Sequence, residues 1–157
     1  MKLLFLCTHN TCRSIIGEAV ARQLGGDRLQ AKSAGSHPSG VVHPLTLRYL
    51  EEAGYSLDGL VSQGLDDVAD FAPDAVITVC DAAAQEPCPL WLETTVKAHW
   101  GFADPSRLQG SDAEQAEAYA SLIGKLERRI ETLLEHAFED LRPGALATLL
   151  NDIVEEQ

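Results

Sequence analysis

A nearly all-apolar run, Lys2 to Leu6, breaks abruptly into the polar segment Cys7 to Ser14. Such a run is expected of a strand buried on both faces, and such a break of a loop at its carboxyl end. Beyond Ser14, the residues Ile15, Ile16, Ala19, Val20 and Leu24 are spaced for one helical face, and Gly25 with Gly26 supplies the stop. A chain that opens as strand, loop and helix is headed for an α/β fold if the alternation continues.

It does continue. Leu29 to Ala34 reads as a second strand, and the loop Gly35 to His43 leads to a helix over Pro44 to Glu52 that Gly54 stops. Asp66 to Phe71 reads as a short helix, Ala75 to Val79 as a buried strand and Val96 to Trp100 as a further strand. A long helix is expected from Ser111 to His136, with Tyr119, Leu122, Leu126, Ile130, Leu133 and Leu134 as its buried stripe. Strands separated by helices pair in parallel, so the expected fold is α/β: an open four-stranded parallel sheet with helices on both faces. Ligands of such sheets bind at the carboxyl ends of the strands, and Cys7, Cys80 and Asp104 all follow directly or closely on predicted strands.

A length of 157 residues, 45% of them hydrophobic, suits one core. Residues 1–139 are expected to form the catalytic domain and 140–157 a C-terminal extension, where the apolar run Ala145 to Val154 after Pro143-Gly144 points to an extra helix. The opening apolar run is too short for a signal peptide, and no stretch is long enough to span a membrane. A cytoplasmic protein with reduced, chemically active cysteines is therefore expected. A net charge of −12 argues against nucleic acid or an anionic membrane as partner. It does not exclude a small oxyanion, which answers to the local field of a few N–H groups and one arginine.

The segment Cys7-Thr8-His9-Asn10-Thr11-Cys12-Arg13-Ser14 offers that field. Between strand and helix, the residues separating Cys7 from Arg13 let the backbone curl so that successive N–H groups point inward at the positive end of the helix. Arg13 adds a planar fork of donors that can clamp two oxygens of a tetrahedral anion. The same field is expected to lower the Cys7 pKa and make it a nucleophile. Ser14 is expected to hydrogen-bond the Cys7 sulfur, and Asn10 to hold a left-handed turn. Cys12 reads as a spectator within the loop, and a protonated His9 would further favour the thiolate.

On this signature, and on His99-Trp100-Gly101-Phe102-Ala103-Asp104-Pro105, residues 2 to 135 resemble the low-molecular-weight protein tyrosine phosphatases and, within them, the thiol-dependent arsenate reductases. Phosphatases of this kind usually carry a proline after the loop serine and tyrosines after the Asp-Pro pair, where this chain has Ile15, Ser106 and Arg107. His9 stands where a glycine is common. The resemblance implies that Asp104 is the general acid toward the leaving oxygen. It also implies a thiol relay: reduction of As(V) withdraws two electrons, so Cys80 attacks the Cys7 adduct, and Cys88, on a mobile loop beyond Asp81 to Pro87, resolves the first disulfide. The oxidised protein would then be reduced by thioredoxin or by glutathione with glutaredoxin.

Some relatives in that branch bind potassium, and Asn10, Glu18 and Ser33 match part of such a set, but Gln63 stands where an aspartate would be expected near Ser62. No metal or bound cofactor is expected, since neither Cys7 with Cys12 nor Cys80 with Cys88 has zinc-site spacing. Two other functions stay open at this point: a phosphatase acting on phosphomonoesters, and a non-enzymatic thiol sensor or arsenite-binding module.

Overall fold

The computed structural model describes residues 1–155. Strands β1 (Lys2–Cys7), β2 (Gln30–Gly35), β3 (Ala75–Thr78) and β4 (Val96–His99) form one parallel sheet in the order β2-β1-β3-β4. The chain winds outward from β1 in one direction and from β3 in the other. The switch point therefore falls at the carboxyl ends of β1 and β3, which is where an open sheet leaves a crevice for a ligand.

Register assigns the two faces. Leu4 and Leu6 of β1 stand beside Val76 and Thr78 of β3, and these beside Lys97 and His99 of β4. Leu3 and Phe5 share the opposite face with Ala75 and Ile77. Helix α1 (Arg13–Gly25) packs on the Phe5 face, where Gly17 approaches the Phe5 ring so closely that an added Cβ would lie 2.6 Å from it. Helix α3 (Asp81–Gln85) lies on the other face, since its Ala83 shares a cavity with Val76 and Thr78. Helices thus cover both faces. The remaining helices are α2 (Pro44–Glu52), α4 (Asp112–Leu134) and α5 (Pro143–Glu155).

Helix α4 is capped by Ser111, whose hydroxyl accepts from the Glu114 N–H, and packs beside α1. Its buried stripe is Tyr119, Leu122, Ile123, Leu126, Ile130 and Leu133, with Arg129 among them; Leu134, expected inside, is half-buried. At its end Arg28 donates to the Leu134 and His136 carbonyls at 2.7 Å each, satisfying acceptors the helix leaves over. Helix α5 lies along the β4 edge. On the Phe5 face the buried Trp100 donates its indole N–H to the Leu150 carbonyl at 2.8 Å, and on the other face Asn151 lines the cavity beneath α3. An edge strand whose hydrogen-bonding groups would otherwise meet solvent is covered by this helix.

Two elements differ from expectation. Residues 81–85, expected within a mobile loop, form α3, because the run Asp81-Ala82-Ala83-Ala84 joins an acidic first residue to three strong helix formers. The short helix near Asp66 is a 3-10 helix, Leu65–Phe71. No described helix is long and apolar enough to cross a membrane.

Gly17→Ala tests how tightly α1 sits on the sheet. Alanine gains about 1 kcal/mol of helix propensity over glycine. Overpacking against the fully buried Phe5 ring costs roughly 1–3 kcal/mol, so the expected net effect in urea unfolding is a loss of stability of about 1 kcal/mol.

Candidate active site

Cys7 is the last residue of β1 and Arg13 the first of α1, so Thr8 to Cys12 form the whole turn between them. The turn's carbonyls are fixed from outside. Those of Cys7, Thr8, His9 and Thr11 accept from the backbone N–H groups of Ser36, His37, Ser39 and His43 at 3.2, 2.8, 3.1 and 3.1 Å. In a trans peptide the next residue's N–H points opposite to the carbonyl. The N–H groups of Thr8, His9, Asn10 and Cys12 thus point opposite to carbonyls already taken by the 36–43 segment, which leaves them free of that pairing, as an anion nest requires.

Asn10 makes that curl possible. It is fully buried with φ 53°, the left-handed conformation that asparagine tolerates better than most residues. Its Oδ1 accepts from the Gln63 N–H at 2.9 Å and its Nδ2 donates to the Ser14 hydroxyl at 2.8 Å. Ser14 was expected on the Cys7 sulfur; its hydrogen bond runs to Asn10 instead, because the serine is buried beneath the turn. Gly35 is required beside it, since a Cβ there would stand 2.6 Å from the Thr8 carbonyl oxygen.

Arg13 and Asp104 meet across the mouth. The Arg13 guanidinium donates to the Phe102 carbonyl at 3.0 Å and lies 3.7 Å from an Asp104 oxygen. Asp104 caps a 3-10 turn (Pro105–Arg107), accepting from the Ser106 N–H at 2.9 Å and the Ser106 hydroxyl at 2.6 Å, with Arg107 at 3.6 Å. Cys7, His9, Thr11, Cys12, Arg13 and Asp104 line one cavity of about 310 Å³, together with Ser39, His43, Ser106 and Arg107. A basic and an acidic side chain thus face the same space as the Cys7 sulfur. His9 is exposed, and its Nδ1–H donates to the His37 carbonyl at 3.2 Å.

The four cysteines are free and divide three ways. Cys80, two residues past β3, reaches the same rim as Cys7, with the Thr8 hydroxyl 3.6 Å from its sulfur. Cys80 and burial push Cys7 up against the pull of Arg13, while Cys80 is pushed down to about 5 by the neighbouring Cys7 thiol, helped by Thr8 and the Ala83 N–H. The expected lowering of Cys7 is thus not found: Cys80 and burial outweigh Arg13, and of the two sulfurs it is Cys80 whose surroundings favour the thiolate. Cys12 turns toward the core, donating to the Tyr119 hydroxyl at 3.7 Å, and burial pushes it up to about 11 despite its bond to Thr46. Cys88 is half-buried in a separate cavity with Thr78, Ala83, His99 and Asn151, so the resting fold does not bring the third thiol to the first two.

Behind the turn, residues matched to a potassium set do converge. Glu18 is buried and accepts from the Ser33 hydroxyl at 3.0 Å, while Gln63 Nε2 donates to the Ser33 carbonyl at 3.0 Å. The Glu18 carboxylate also faces Arg22 at 3.0 Å, so a side chain of the protein supplies positive charge there; burial raises Glu18 and Arg22 opposes it. Gln63, read from the sequence only against a potassium set, holds Asn10, and three contributors carried no sequence signal toward the site: Gly35, the 36–43 segment and the hydroxyl of Thr8 on Cys80. All act through pairings between residues far apart in sequence.

Comparison with known proteins agrees with this geometry. The family described as low molecular weight phosphotyrosine protein phosphatase matches residues 2–142. An arsenate reductase of Bacillus subtilis (strain 168) is 33% identical over 132 residues, 83% of this chain and 93% of that one. A glutaredoxin arsenate reductase of Synechocystis sp. is 29% identical over 133 residues, 85% of this chain and 95% of that one. The solved structure of the thioredoxin-dependent arsenate reductase Cg_ArsC1' of Corynebacterium glutamicum superposes with a TM-score of 0.63 at 30% identity, over 85% of this chain and 60% of that one. With a sheet, a turn and a family match that coincide from residue 2 to the start of α5, the chain belongs to the low molecular weight phosphotyrosine protein phosphatase family.

Proposed function

We propose that this protein is an arsenate reductase serving arsenic detoxification, with Cys7 as nucleophile and Cys80 and Cys88 as the relay. The observation that carries the proposal is the second thiol at the rim: Cys80, two residues past β3, stands with its sulfur 3.6 Å from the hydroxyl of Thr8, the residue next to Cys7, and phosphoester hydrolysis needs no such second thiol. The arsenate reductases among its relatives support the same substrate.

Arsenate enters the turn Thr8 to Ser14, where the inward N–H groups and the Arg13 fork take its oxygens. Cys80 takes the Cys7 proton as the Cys7 sulfur bonds to arsenic, and an As–O bond breaks while Asp104 protonates the leaving oxygen, which departs as water. Cys80 passes that proton to an oxygen on arsenic and, as a thiolate, attacks the Cys7 sulfur; the S–As bond breaks, its electron pair stays on arsenic and protonated arsenite leaves. The protein has then given up two electrons as a Cys7–Cys80 disulfide. Cys88 attacks Cys80 and frees Cys7, leaving a Cys80–Cys88 disulfide that an external dithiol reduces. Thioredoxin and the glutathione/glutaredoxin couple both fit this last step, since relatives of each kind exist. Cys88 has to leave its separate cavity for the third step, so the 81–88 segment moves in each cycle.

A second function has one observation in its favour. The turn, Arg13 and Asp104 are also the parts of a phosphomonoester phosphatase, the activity for which the family is described. Arsenite formation measured with thioredoxin, beside release of p-nitrophenol from its phosphate ester, separates the two. Strong phosphatase turnover without arsenite would reverse the ranking, and tight arsenite binding with neither turnover would make the protein a thiol sensor.

Single changes resolve the steps. Cys7→Ser is expected to abolish arsenite formation, Cys80→Ser to trap the arseno-adduct, and Cys88→Ser to allow about one turnover, with mass spectrometry of the oxidised forms as the check. A dominant Cys7–Cys12 disulfide would contradict the relay.

The two rim thiols have their own pH signature. In a chain with Cys12 and Cys88 replaced by Ser, thiolate absorbance is expected to rise by one equivalent as pH increases through about 5, and by the second only in strong alkali. Cys7→Ala in that background removes the neighbouring thiol that lowers Cys80, so the acidic midpoint is expected to move upward toward that of an ordinary thiol.

A further inference from the structure

We propose that His99 and Asp81 form a latch that positions Cys80 for its attack on Cys7 and must open before Cys88 can follow. The proposal rests on the relay described above and adds two positioning residues to it.

The latch joins the end of β4 to the first residue of α3. His99 Nε2 meets Asp81 Oδ1 at 2.8 Å, and on the other side of the ring Nδ1 meets the Thr78 hydroxyl at 2.8 Å. Thr78 is the last residue of β3 and stands in register with His99, so the imidazole is held against the sheet by one nitrogen and holds α3 by the other. Either charge state can make both bonds. A neutral ring with its proton on Nε2 donates to Asp81 and accepts from Thr78; an imidazolium donates to both, and the Thr78 hydroxyl turns to the Ala98 carbonyl 3.4 Å away.

Asp81 directly follows Cys80, so tying its carboxylate to the sheet limits where the Cys80 sulfur can sit. Gly101 is built around the pair. A Cβ there would lie 2.9 Å from His99 Nε2 and 3.1 Å from Asp81 Oδ1, so a side chain at that position would wedge the two apart. The Asp81 side chain is 87% exposed and that of His99 40%, and an ion pair so open to water is weak. A weak contact suits a latch that opens once in every cycle. It also makes the latch a poor support of the fold.

Geometry then demands opposite effects on the two thiol steps. With the latch closed, Cys80 stays at the rim beside Thr8 and Cys7. Joining Cys80 to Cys88 bends the segment that α3 occupies and draws Asp81 away from His99. Loss of the latch should therefore slow arsenite release and leave the Cys88 step as fast as before or faster. Damage that was merely structural would slow both.

The test is single-turnover chemistry on the full chain, with arsenate in excess, quenching the thiols at intervals and separating the Cys7–Cys80 from the Cys80–Cys88 disulfide. Asp81→Ala and Gly101→Ala are expected to slow arsenite release about tenfold, the size of effect that a small misplacement of a reacting group produces, with KM for arsenate unchanged. Asp81→Asn keeps an oxygen to accept from Nε2–H and should restore most of the rate. Equal slowing of both disulfide steps, no slowing at all, or failure of Asp81→Asn to rescue would overturn the latch. An unmodified chain that forms no Cys80–Cys88 disulfide would instead overturn the relay on which it rests.

Discussion

The candidate site depends on where the backbone carbonyls of residues 7 to 11 go. Four of them are taken by the N–H groups of a single segment, Ser36 to His43, which lies outside the turn like a splint. Because the peptide is planar, satisfying these carbonyls on one side commits the N–H groups to the other. The positive cradle is thus made by the loop after β2 as much as by the turn itself. Asn10 bears the one left-handed residue of the turn, and its side chain is fixed by Gln63 and Ser14, so the curl is set before any anion arrives. A nest organised in advance loses little entropy on binding, so the proposed oxyanion site is compatible with a net charge of −12.

The same arrangement explains why the nucleophile is read best as half of a pair. Cys7 is buried, and burial alone favours the neutral thiol; Arg13 pulls the other way but is shared with Phe102 and Asp104. Cys80 resolves the conflict. Cys80 is pushed down by the neighbouring Cys7 thiol, by Thr8 and by the first turn of α3, so of the two sulfurs its own surroundings favour the charge. The proposed chemistry exploits this, since the nucleophile and the group proposed to take its proton stand at the same rim.

Much of the fold was legible in the sequence, and the reason is period. β1, α1, α2, β3, β4 and α4 each announce themselves by apolar spacing and Gly or Pro stops, with bounds within two residues of those observed. The Cys7 to Ser14 motif was legible because its chemistry is local, and the left-handed Asn10 followed from residue type. What stayed hidden is set by the fold: Ser14 bonds Asn10 and not Cys7, Cys80 pushes the Cys7 thiol up, and the residues after Cys80 coil into α3. None of these follows from spacing, since each depends on which side chains the sheet register brings together. The motif at His99 to Pro105 shows both sides at once. Its likeness to a family was visible, but the reasons for Trp100, Gly101 and Asp104 lie in Leu150, in the His99–Asp81 pair and in Arg13.

Helix α5 is the part of the chain that the family match does not reach, for that match ends at residue 142 and α5 begins at Pro143. Its apolar face explains its place: Leu146, Leu150 and Ile153 are buried, and a helix with so regular a stripe has to cover something. What it covers is the one strand edge nearest the relay segment, with Trp100 pinned on one face of the sheet and Asn151 walling the cavity of Cys88 on the other. Helix α5 therefore sits beside the segment that the proposed relay requires to move. The turn after β1, in the interior of the sheet, lies within the family match, while α5, beyond it, walls the cavity that holds Cys88.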